Sequence, residues 1–442
     1  MQRATEGRRR GRTRGSGSGC CWVGEDQVYK WSMDKQRGDA RARWTRLSVI
    51  TTHVAAREVT SPPTAAAPRA ADPRQALADR YSFAEVPRFA REEWGTALVE
   101  HLEENGFAVA AGVLDAQEIA TTYALLFDHI EARSAALFPD RPVSRYDAAT
   151  WGGKGLWGRG GEKDGYGLLV DQHCAAMWYM RGRPAVHELW TAIHRGESDL
   201  AVSFDGAQLW RPWEVFPEWQ AQDVTGFLHI DRRPFPAPGS SAFCRYDEKG
   251  VCHGAVGTHY IQGFISLIET TEAMGGNCVC PGTHKRYDEL VQRCMALPGV
   301  EADKVVHESG WRPDYTRLLQ QDQQLANNVL MCKLMPGDHM LWDDRCLHGN
   351  ARGRGPSPTG TQLARCSVFC SMSPMRLLDE ETRECRRQMA RLGLGAGHSS
   401  HHKLAPGALE AAKSTVTGGP GDRATILDLA LDDHQKALIP ME

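Results

Sequence analysis

The spacing of apolar residues changes along the chain. Between residues 80 and 200 apolar side chains recur every three or four positions, as in Trp94, Leu98 and Leu102, which is the pattern of a helix with one buried face. From about Leu200 the period falls to two, in short runs separated by Gly, Pro or charged turns. This second pattern is typical of half-buried strands. The chain therefore predicts helices first and a β-rich core after them.

Local signals set the bounds of the predicted helices. The helix that contains Trp94 ends at the pair Asn105 and Gly106, and "AVAAGVLD" after it is predicted to be a short strand. Asp115 then caps a second helix, "AQEIATTYALLFDHIEARSAALF", and "RPAVHELWTAIHRG" forms a third. Two helices around a strand therefore open the folded domain.

The β-rich part indicates the fold class. Its runs are short, and few helices separate them, which argues against a parallel doubly wound sheet and favours a sandwich or barrel. We predict a mainly β protein with flanking helices, of the α+β class. The runs are "LAVSFDGAQLW", "GFLHID", "HYIQGFISLIE", "NCVCPG", "NVLMCKLMPGDHMLWDD" and "QLARCSVFCSM".

Composition divides the chain into three parts. Residues 1–48 carry twelve Lys and Arg against five Asp and Glu, and 60–79 is rich in Pro and Ala. We predict a disordered Arg-rich leader and linker over 1–78, a folded domain over 79–392 and a C-terminal appendage over 393–442. Within the appendage, "DRATILDLALDDHQKAL" is predicted to form a helix. An organellar transit peptide is the alternative interpretation of the leader, which has no apolar run typical of a secretory signal.

Bulk properties narrow the functional classes. The formal net charge is −3, and no basic stretch is interleaved with aromatic residues, so no nucleic-acid partner is expected. No apolar run is long enough for a membrane span. The thirteen cysteines are irregularly spaced, which favours reduced thiols and an intracellular, cytoplasmic location. Cys278 and Cys280 share a strand face and are predicted to fill space.

The segment "GFLHIDRRPF" carries the first candidate chemistry. His229 and Asp231 are two residues apart, so in a strand they share a face and can converge on one metal ion. Such a pair is common by chance, and an ion pair of Asp231 with Arg232 or Arg233 is the alternative. A second histidine would complete the two-histidine, one-carboxylate set that non-haem Fe(II) oxygenases use.

Two histidines could complete that set. His339 lies inside a predicted strand, whereas His348 follows it, where the strand gives way to a Gly-Asn turn. Ligands usually sit at the rim of a barrel, which favours His348. His339 is expected to face solvent or a neighbouring sheet.

Arg365 is the second unusual residue, because it lies among apolar and small residues in "TQLARCSVF". A buried guanidinium needs an anionic partner. That partner is either an internal Asp or Glu, or the distal carboxylate of a ligand such as 2-oxoglutarate, bound bidentately.

Four segments in sequence order resemble the phytanoyl-CoA dioxygenase family of Fe(II)- and 2-oxoglutarate-dependent oxygenases. The resemblance runs from about Phe89 to about Pro374. Its most specific parts are the Gly-Gly turn followed by "PGTHK" and the Pro-Gly-Asp turn before His348. The segments are "GFLHID", "QGFISLIETTEAMGGNCVCPGTHK", "MPGDHMLWDDRCLHGN" and "QLARCSVF".

The resemblance implies a double-stranded β-helix core of the jelly-roll or cupin type. It implies Fe(II) held by the catalytic residues His229, Asp231 and His348, 2-oxoglutarate held by Arg365, dioxygen as oxidant and ascorbate as an accessory reductant. The interval before Arg365 is longer than the family's, so Arg352 or Arg354 is an alternative anchor. The presence of Asp231 disfavours halogenation.

Further residues follow from the same resemblance. Gln262, Phe264 and Asn350 are secondary candidates for contacts with the cosubstrate, and core packing is the alternative for all three. His284 in "PGTHK" is expected to be structural and not a fourth ligand.

The expected function is hydroxylation of an aliphatic C–H bond in a small organic or lipid-like substrate, with release of succinate and carbon dioxide. A non-oxidative cupin-like metal- or ligand-binding protein, or an isomerase, is the alternative, and a zinc hydrolase is a third. An aromatic wall is predicted from "SFDGAQLWRPWEVFPEW" and the Gly/Trp-rich loop 150–166. Arg232 and Arg233 are predicted substrate contacts at the rim.

Overall fold

The structure is a computed structural model that describes residues 18–22, 28–32, 43–46, 81–152, 168–169, 171–215, 228–231, 261–299, 315–395, 400, 409 and 424–440. The chain divides into two compact units, Met1–Arg69 and Ala70–Glu442. In the first unit the described residues form one antiparallel sheet of β1 (Ser18–Trp22), β2 (Val28–Ser32) and β3 (Arg43–Arg46). Most of the predicted leader lies outside the described residues, so its disorder stays a prediction.

The second unit is built on two facing sheets. The first sheet has seven strands in the order β5-β6-β13-β10-β15-β9-β7, and the second has four in the order β14-β11-β12-β4. A separate pair joins β8 to β16. The strands are β4 (Ser82–Ala84), β5 (Arg88–Phe89), β6 (Phe107–Ala110), β7 (Leu168–Leu169), β8 (Leu200–Val202), β9 (Ala207–Trp210), β10 (Ile261–Ser266), β11 (Gly275–Cys280), β12 (Leu330–Cys332), β13 (His339–Asp343), β14 (Leu347–Arg352), β15 (Arg365–Phe369) and β16 (Met372–Pro374).

Strand pairing in the core is nested. Strand β9 pairs with β15, the His229 segment bridges to β14, β10 pairs with β13, and β11 pairs with β12, all antiparallel. These four pairs comprise eight segments of the chain. Numbered in chain order, the first segment pairs with the eighth, the second with the seventh, the third with the sixth and the fourth with the fifth. A long hairpin rolled into two sheets has this pairing, so the predicted double-stranded β-helix core is confirmed.

Helices cover the outer faces of both sheets. Against the seven-stranded sheet lies the largest apolar cluster, which contains Leu98, Trp190 and Met389 from helices. Against the four-stranded sheet lies a smaller cluster with Leu290 and Leu318. The helices are α1 (Val99–Asn105), α2 (Ala116–Leu137), α3 (Ala175–Arg181), α4 (Pro184–Ile193), α5 (Tyr287–Met295), α6 (Tyr315–Gln321), α7 (Gln323–Asn327), α8 (Glu380–Arg391) and α9 (Asp433–Ala437).

The predicted start and stop signals are confirmed. Helix α1 follows a wider turn over Trp94–Leu98 and ends at Gly106, whose φ of 78° is a left-handed conformation that favours glycine. The Asp115 carboxylate accepts from the Glu118 N–H at 2.8 Å at the start of α2, and the Glu118 carboxylate accepts from the Asp115 N–H. These reciprocal bonds form a capping box.

Several helices were not predicted, because their apolar faces are short. They are α5 to α7, which cover the four-stranded sheet, and α3 and α8, which pack Met177 and Met389 into the larger cluster. The predicted helix near the C-terminus is shorter than expected, since a 3-10 turn over Ile426–Asp428 precedes α9. The described part of the predicted appendage is docked, with Leu438 buried and its carbonyl accepting from Val202 N–H.

Two further findings bear on the bulk predictions. Among the described residues no helix is long and apolar enough to cross a membrane. Nine described cysteines are buried and form no disulfide, among them Cys278 and Cys280 in β11. These two thiols therefore fill space, as predicted, while the intracellular location stays a prediction.

Candidate metal centre and ligand pocket

Strand alternation identifies the side chains that line the space between the two sheets. Phe264, Met340, Trp342 and Phe369 from the seven-stranded sheet cluster with Val279 from the four-stranded sheet. Side chains two residues away on a strand share its face. The inner face therefore also carries the half-buried Asn350 and these buried polar residues: Gln208, Gln262, Asn277, His348, Arg365 and Ser367.

The structure brings His229, Asp231 and His348 together. One ligand atom from each lies within 4.8 Å of the others. The Nε2 atom of His229 is 3.4 Å from Asp231 Oδ1, and the Nε2 atom of His348 is 3.3 Å from Asp231 Oδ2. Reciprocal backbone bonds of 2.8 and 2.9 Å join His229 to His348. The structure therefore places His229 and Asp231 beside His348, while their role as metal ligands stays a prediction.

The hydrogen bonds of His348 determine its tautomer. Its Nδ1 atom lies 2.9 Å from the carbonyl oxygen of Cys346, and a carbonyl can only accept, so Nδ1 carries the proton. Burial lowers the pKa of His348, which keeps the ring neutral and leaves Nε2 with a free lone pair. That lone pair points toward the Asp231 carboxylate.

Asp231 remains ionised in this setting. Burial opposes the charge, but His229 and then His348 outweigh burial and hold the pKa of the Asp231 carboxyl well below its usual range. Its Oδ2 atom accepts no hydrogen bond. A carboxylate oxygen and an imidazole lone pair thus face each other at 3.3 Å. Two acceptors in this arrangement call for a cation between them, so the donor set fits a metal ion.

His339 is not part of this cluster. It lies on the opposite face of its strand, fully buried, with Nε2 3.2 Å from the carbonyl of Cys370 and its ring edge-on to Trp190. A Cβ atom on Gly263 would lie 2.6 Å from His339 Nε2, so the glycine makes room for the imidazole. The expectation that His339 faces solvent is therefore wrong. The selection of His348 agrees with the geometry, although His348 lies within β14 and not after a strand.

Arg365 is buried between the sheets without an acidic partner. Its Nε donates to Ser367 Oγ at 3.1 Å, and its Nη1 donates to the Asn350 side-chain oxygen. Its guanidinium also lies 5.0 Å from the Trp210 ring centre and 5.2 Å from that of Phe264. Among the described residues no carboxylate forms an ion pair with it, and burial lowers the pKa of Arg365 to about 9.

The secondary candidates also lie on the inner face. Asn350 holds the guanidinium of Arg365, and Phe264 packs against it. Gln262 is buried, and its side-chain oxygen has no hydrogen-bond partner. Phe264 also packs against Trp342 and Phe369. Core packing therefore accounts for part of the role of Phe264, while the orphaned oxygen of Gln262 favours contact with a ligand.

Several pocket residues were missed from the sequence. Asn277 lies opposite Asn350 in the register of β11 and β14, and its side-chain oxygen has no partner. The indole N–H of Trp342, also missed, has none either, nor does that of Trp210, which belongs to the predicted aromatic wall. Ser367 lies two residues after Arg365, so strand alternation could have predicted its position. Asn277 is identified only by the pairing of β11 with β14.

The alternative anchors are placed elsewhere. Arg354 donates to Glu272 at 2.8 Å and to the carbonyl of Tyr81 at 3.0 Å. Arg352 is the last residue of β14, and its side chain is outside the described residues. His284 bonds the carbonyl of Glu103 at 3.0 Å, which confirms a structural role.

Three other predictions fall on residues outside the described ranges. They are the rim contacts of Arg232 and Arg233, nearly all of the Gly/Trp-rich loop, and the end of the predicted aromatic wall. Trp210, at the start of that wall, does lie in the pocket beside Arg365.

Comparison with known proteins gives one curated relative. No family model matches the chain. The chain is 25% identical over 293 residues, which are 63% of this chain and 76% of the relative, to a Dictyostelium discoideum protein named "Putative phytanoyl-CoA dioxygenase". The resemblance indicated by the sequence motifs is thereby supported by an independent alignment.

Solved structures are more distantly similar to this chain. One is described as a "Putative Oxidoreductase from Salmonella typhimurium LT2", with 13% identity, a TM-score of 0.49 and coverage of 80% of this chain and 86% of that one. Another is the epimerase SnoN in complex with Fe3+, alpha ketoglutarate and nogalamycin RO, with 15% identity, a TM-score of 0.33 and coverage of 63% and 83%. Similarity at this level does not indicate a shared function.

Fold and site together define a class: a double-stranded β-helix protein with a two-histidine, one-carboxylate cluster between its sheets. Within that class, the resemblance of this chain to the phytanoyl-CoA dioxygenase family, a family of oxygenases, is confirmed by the Dictyostelium relative.

Proposed function

We propose that the protein is a Fe(II)- and 2-oxoglutarate-dependent dioxygenase that hydroxylates an aliphatic C–H bond of a small organic or lipid-like substrate. The observation that carries the proposal is the combination of two incomplete sites in one pocket. Asp231 and His348 face each other as two acceptors, and Arg365 is buried with no carboxylate partner among the residues that the structure describes. A metal ion completes the first site and an anionic ligand completes the second.

His229, Asp231 and His348 would hold the iron. They supply two neutral imidazoles and one carboxylate, which leaves other coordination positions for small molecules. Iron, 2-oxoglutarate and dioxygen together supply the oxidation of a C–H bond, with succinate and carbon dioxide as co-products. The protein's own contribution is to position these groups and to exclude water.

Arg365 would bind the distal carboxylate of 2-oxoglutarate. Its Nε and Nη1 are held by Ser367 and Asn350, which fixes the plane of the guanidinium before a ligand arrives. A bound carboxylate would stabilise the charged form, whose pKa burial alone lowers to about 9. Preorganisation of this kind reduces the entropy cost of binding.

The remaining polar groups suit the same ligand. Gln262 and Asn277 have side-chain oxygens without partners, and Trp210 and Trp342 have free indole N–H groups. Buried polar atoms are normally satisfied, so orphans clustered in one pocket favour a polar occupant. We expect some of them to contact the cosubstrate and others the substrate.

A non-oxidative metal-binding protein of the same fold is the competing function. It would explain the metal cluster, but it gives Arg365 no role. Binding of 2-oxoglutarate therefore separates the two functions.

The test is an anaerobic titration of the full chain with Fe(II) and 2-oxoglutarate, monitored by the weak visible charge-transfer absorption of the chelate. We expect the band in the wild type, its loss in His348→Ala, and a higher 2-oxoglutarate requirement in Arg365→Ala. Succinate formation on admission of air supports oxygenase activity. Metal binding with neither the band nor succinate would favour the competing function.

A further inference from the structure

The hydroxyl group of Thr283 occupies a position between two strands of the four-stranded sheet. It donates to the carbonyl of Cys280 at 2.7 Å, at the end of β11, and accepts from the Leu347 N–H at 2.8 Å, at the start of β14. The side chain is 1% exposed. No water can therefore take over these bonds without a rearrangement, and the hydroxyl is a fixed link between the strands.

Leu347 follows a tight turn over residues 343–346. That turn is closed by the Cys346 N–H, which donates to the Asp343 carbonyl at 2.8 Å. The Asp343 carboxylate also accepts from the Arg345 N–H at 2.9 Å and from its guanidinium at 2.7 Å. The turn is thus stabilised internally, and at the end of the β11–β14 ladder, where Cys280 pairs with Leu347, the Thr283 hydroxyl adds a side-chain bond that joins the turn to β11.

The turn ends in the carbonyl that orients the metal ligand. Cys346 O accepts from His348 Nδ1 at 2.9 Å, and Leu347 alone separates the two residues. A shift of the Leu347 backbone would move this carbonyl and rotate the imidazole. Groups that hold the second nitrogen of a ligating histidine set its tautomer and orientation.

Thr283 itself is anchored from the opposite side. The neighbouring Gly282 N–H donates to the carbonyl of Asn105 at 2.8 Å, and His284 bonds the carbonyl of Glu103 at 3.0 Å. Both carbonyls belong to the last turn of α1. The Pro-Gly-Thr-His segment therefore connects a helix end to the turn before His348.

We propose that Thr283 is a positioning residue for His348, acting through the Leu347 N–H and the Cys346 carbonyl. This inference rests on the proposed metal site. It gives the "PGTHK" segment a role in metal affinity, although no residue of that segment belongs to the ligand cluster.

The experiment compares three substitutions at this position in the full chain. Thr283→Val keeps the shape and removes the hydroxyl, Thr283→Ser keeps the hydroxyl, and Thr283→Cys replaces it with a weaker acceptor. Thr122→Val is the matched control, because Thr122 is fully buried and its hydroxyl bonds the Glu118 carbonyl at 2.8 Å within α2. Mn²⁺ affinity is measured by electron paramagnetic resonance, and the Co²⁺ absorption spectrum reports ligand geometry.

We expect Thr283→Val to raise the Kd for Mn²⁺ by about 10- to 100-fold and to change the Co²⁺ spectrum. Thr283→Ser should remain within about twofold of the wild type, Thr283→Cys should be intermediate, and Thr122→Val should bind like the wild type. All titrations are made well below the thermal midpoint of each variant. If Thr283→Val does not fold, the ranking of Ser and Cys carries the test.

Two failures can be told apart. If the wild type binds Mn²⁺ no better than His348→Ala, the proposed metal site itself is wrong. If the wild type binds and Thr283→Val, or Thr283→Cys in its place, has the same Kd and Co²⁺ spectrum, the site stands and the role of Thr283 is refuted.

Discussion

Buried polar residues have different environments on the two faces of the seven-stranded sheet. On the helix-facing side, burial lowers the pKa of His339 to about 3, so the ring is neutral among apolar side chains. On the inner side, Arg365 has no carboxylate partner among the described residues, and the nearby Asp231 oxygen has no hydrogen-bond partner. The strands that contain His339 and Arg365 both pair with β10.

The difference distinguishes structural polar groups from functional ones. Buried polar groups with a structural role are either neutral, as His339 is, or donate to backbone carbonyls, as the fully buried Arg181 does to Gln172 and Asp205. Buried charges that the fold leaves unpaired are costly, and they are retained where a ligand completes them. The inner face therefore identifies the site more clearly than any single motif.

The largest expected effect separates the two histidines of the β13 and β14 region. His348→Ala should abolish metal binding and turnover while changing the free energy of unfolding by less than about 1 kcal/mol. His339→Ala should leave the Kd for Mn²⁺ unchanged and lower the free energy of unfolding by about 2 to 5 kcal/mol, because it opens a cavity. Urea unfolding and metal titration of both variants check this. The opposite assignment of effects would invalidate the comparison of the two faces.

The next effect concerns the unpaired guanidinium. Arg365→Ala should raise the Kd for 2-oxoglutarate by about 10- to 100-fold, or roughly 1.5 to 3 kcal/mol, through loss of a charged bidentate contact. Arg354→Ala is the control, because Arg354 pairs with Glu272. Calorimetric titration in the presence of Mn²⁺ measures both variants. Equal losses in the two would contradict the assignment of Arg365 as the anchor.

A comparable effect is expected from pH on the helix-facing side. Burial lowers the pKa values of His339 and His173 to about 3, whereas in the unfolded chain they titrate near 6.5. Between these values the unfolded state binds more protons, so stability is complete above about pH 6.5 and is lost progressively toward about pH 3. At pH 5 each of these histidines should lower the free energy of unfolding by about 2 kcal/mol relative to neutral pH. Urea unfolding at pH 7.5 and pH 5 should show a smaller difference in His339→Gln than in the wild type, and an unchanged difference would argue against a neutral buried His339.

The smallest effect tests an orphaned amide on the inner face. Gln262→Leu should change the free energy of unfolding by less than about 1 kcal/mol, because the Gln262 side-chain oxygen has no partner to lose. It should weaken 2-oxoglutarate binding by about 2- to 10-fold, the loss of one hydrogen bond of roughly 0.5 to 1.5 kcal/mol. Mn²⁺ affinity serves as the control and should not change. Strong destabilisation with normal ligand binding would make Gln262 a structural residue.

Much of the fold could be predicted from local signals. Capping residues such as Asp115 and the left-handed Gly106 act within one helical turn, so the helix ends that they mark can be predicted from the sequence. Helices α5 to α7 were missed because tertiary packing on the four-stranded sheet, and not a long apolar period, stabilises them. The same limit explains why the last helix is shorter than predicted.

The sequence alone predicted the residue types of the candidate metal site, and that His229 and Asp231 would converge on one side of the chain. The structure places both beside His348, although their segment forms a single bridge at His229 and not a strand. Alternation does not state which face is inner, nor which residues of distant strands lie opposite each other. Only the tertiary structure placed His339 among helices, set Asn277 against Asn350 and put the Thr283 hydroxyl behind His348. Those contacts depend on register between strands far apart in the chain, which no local pattern encodes.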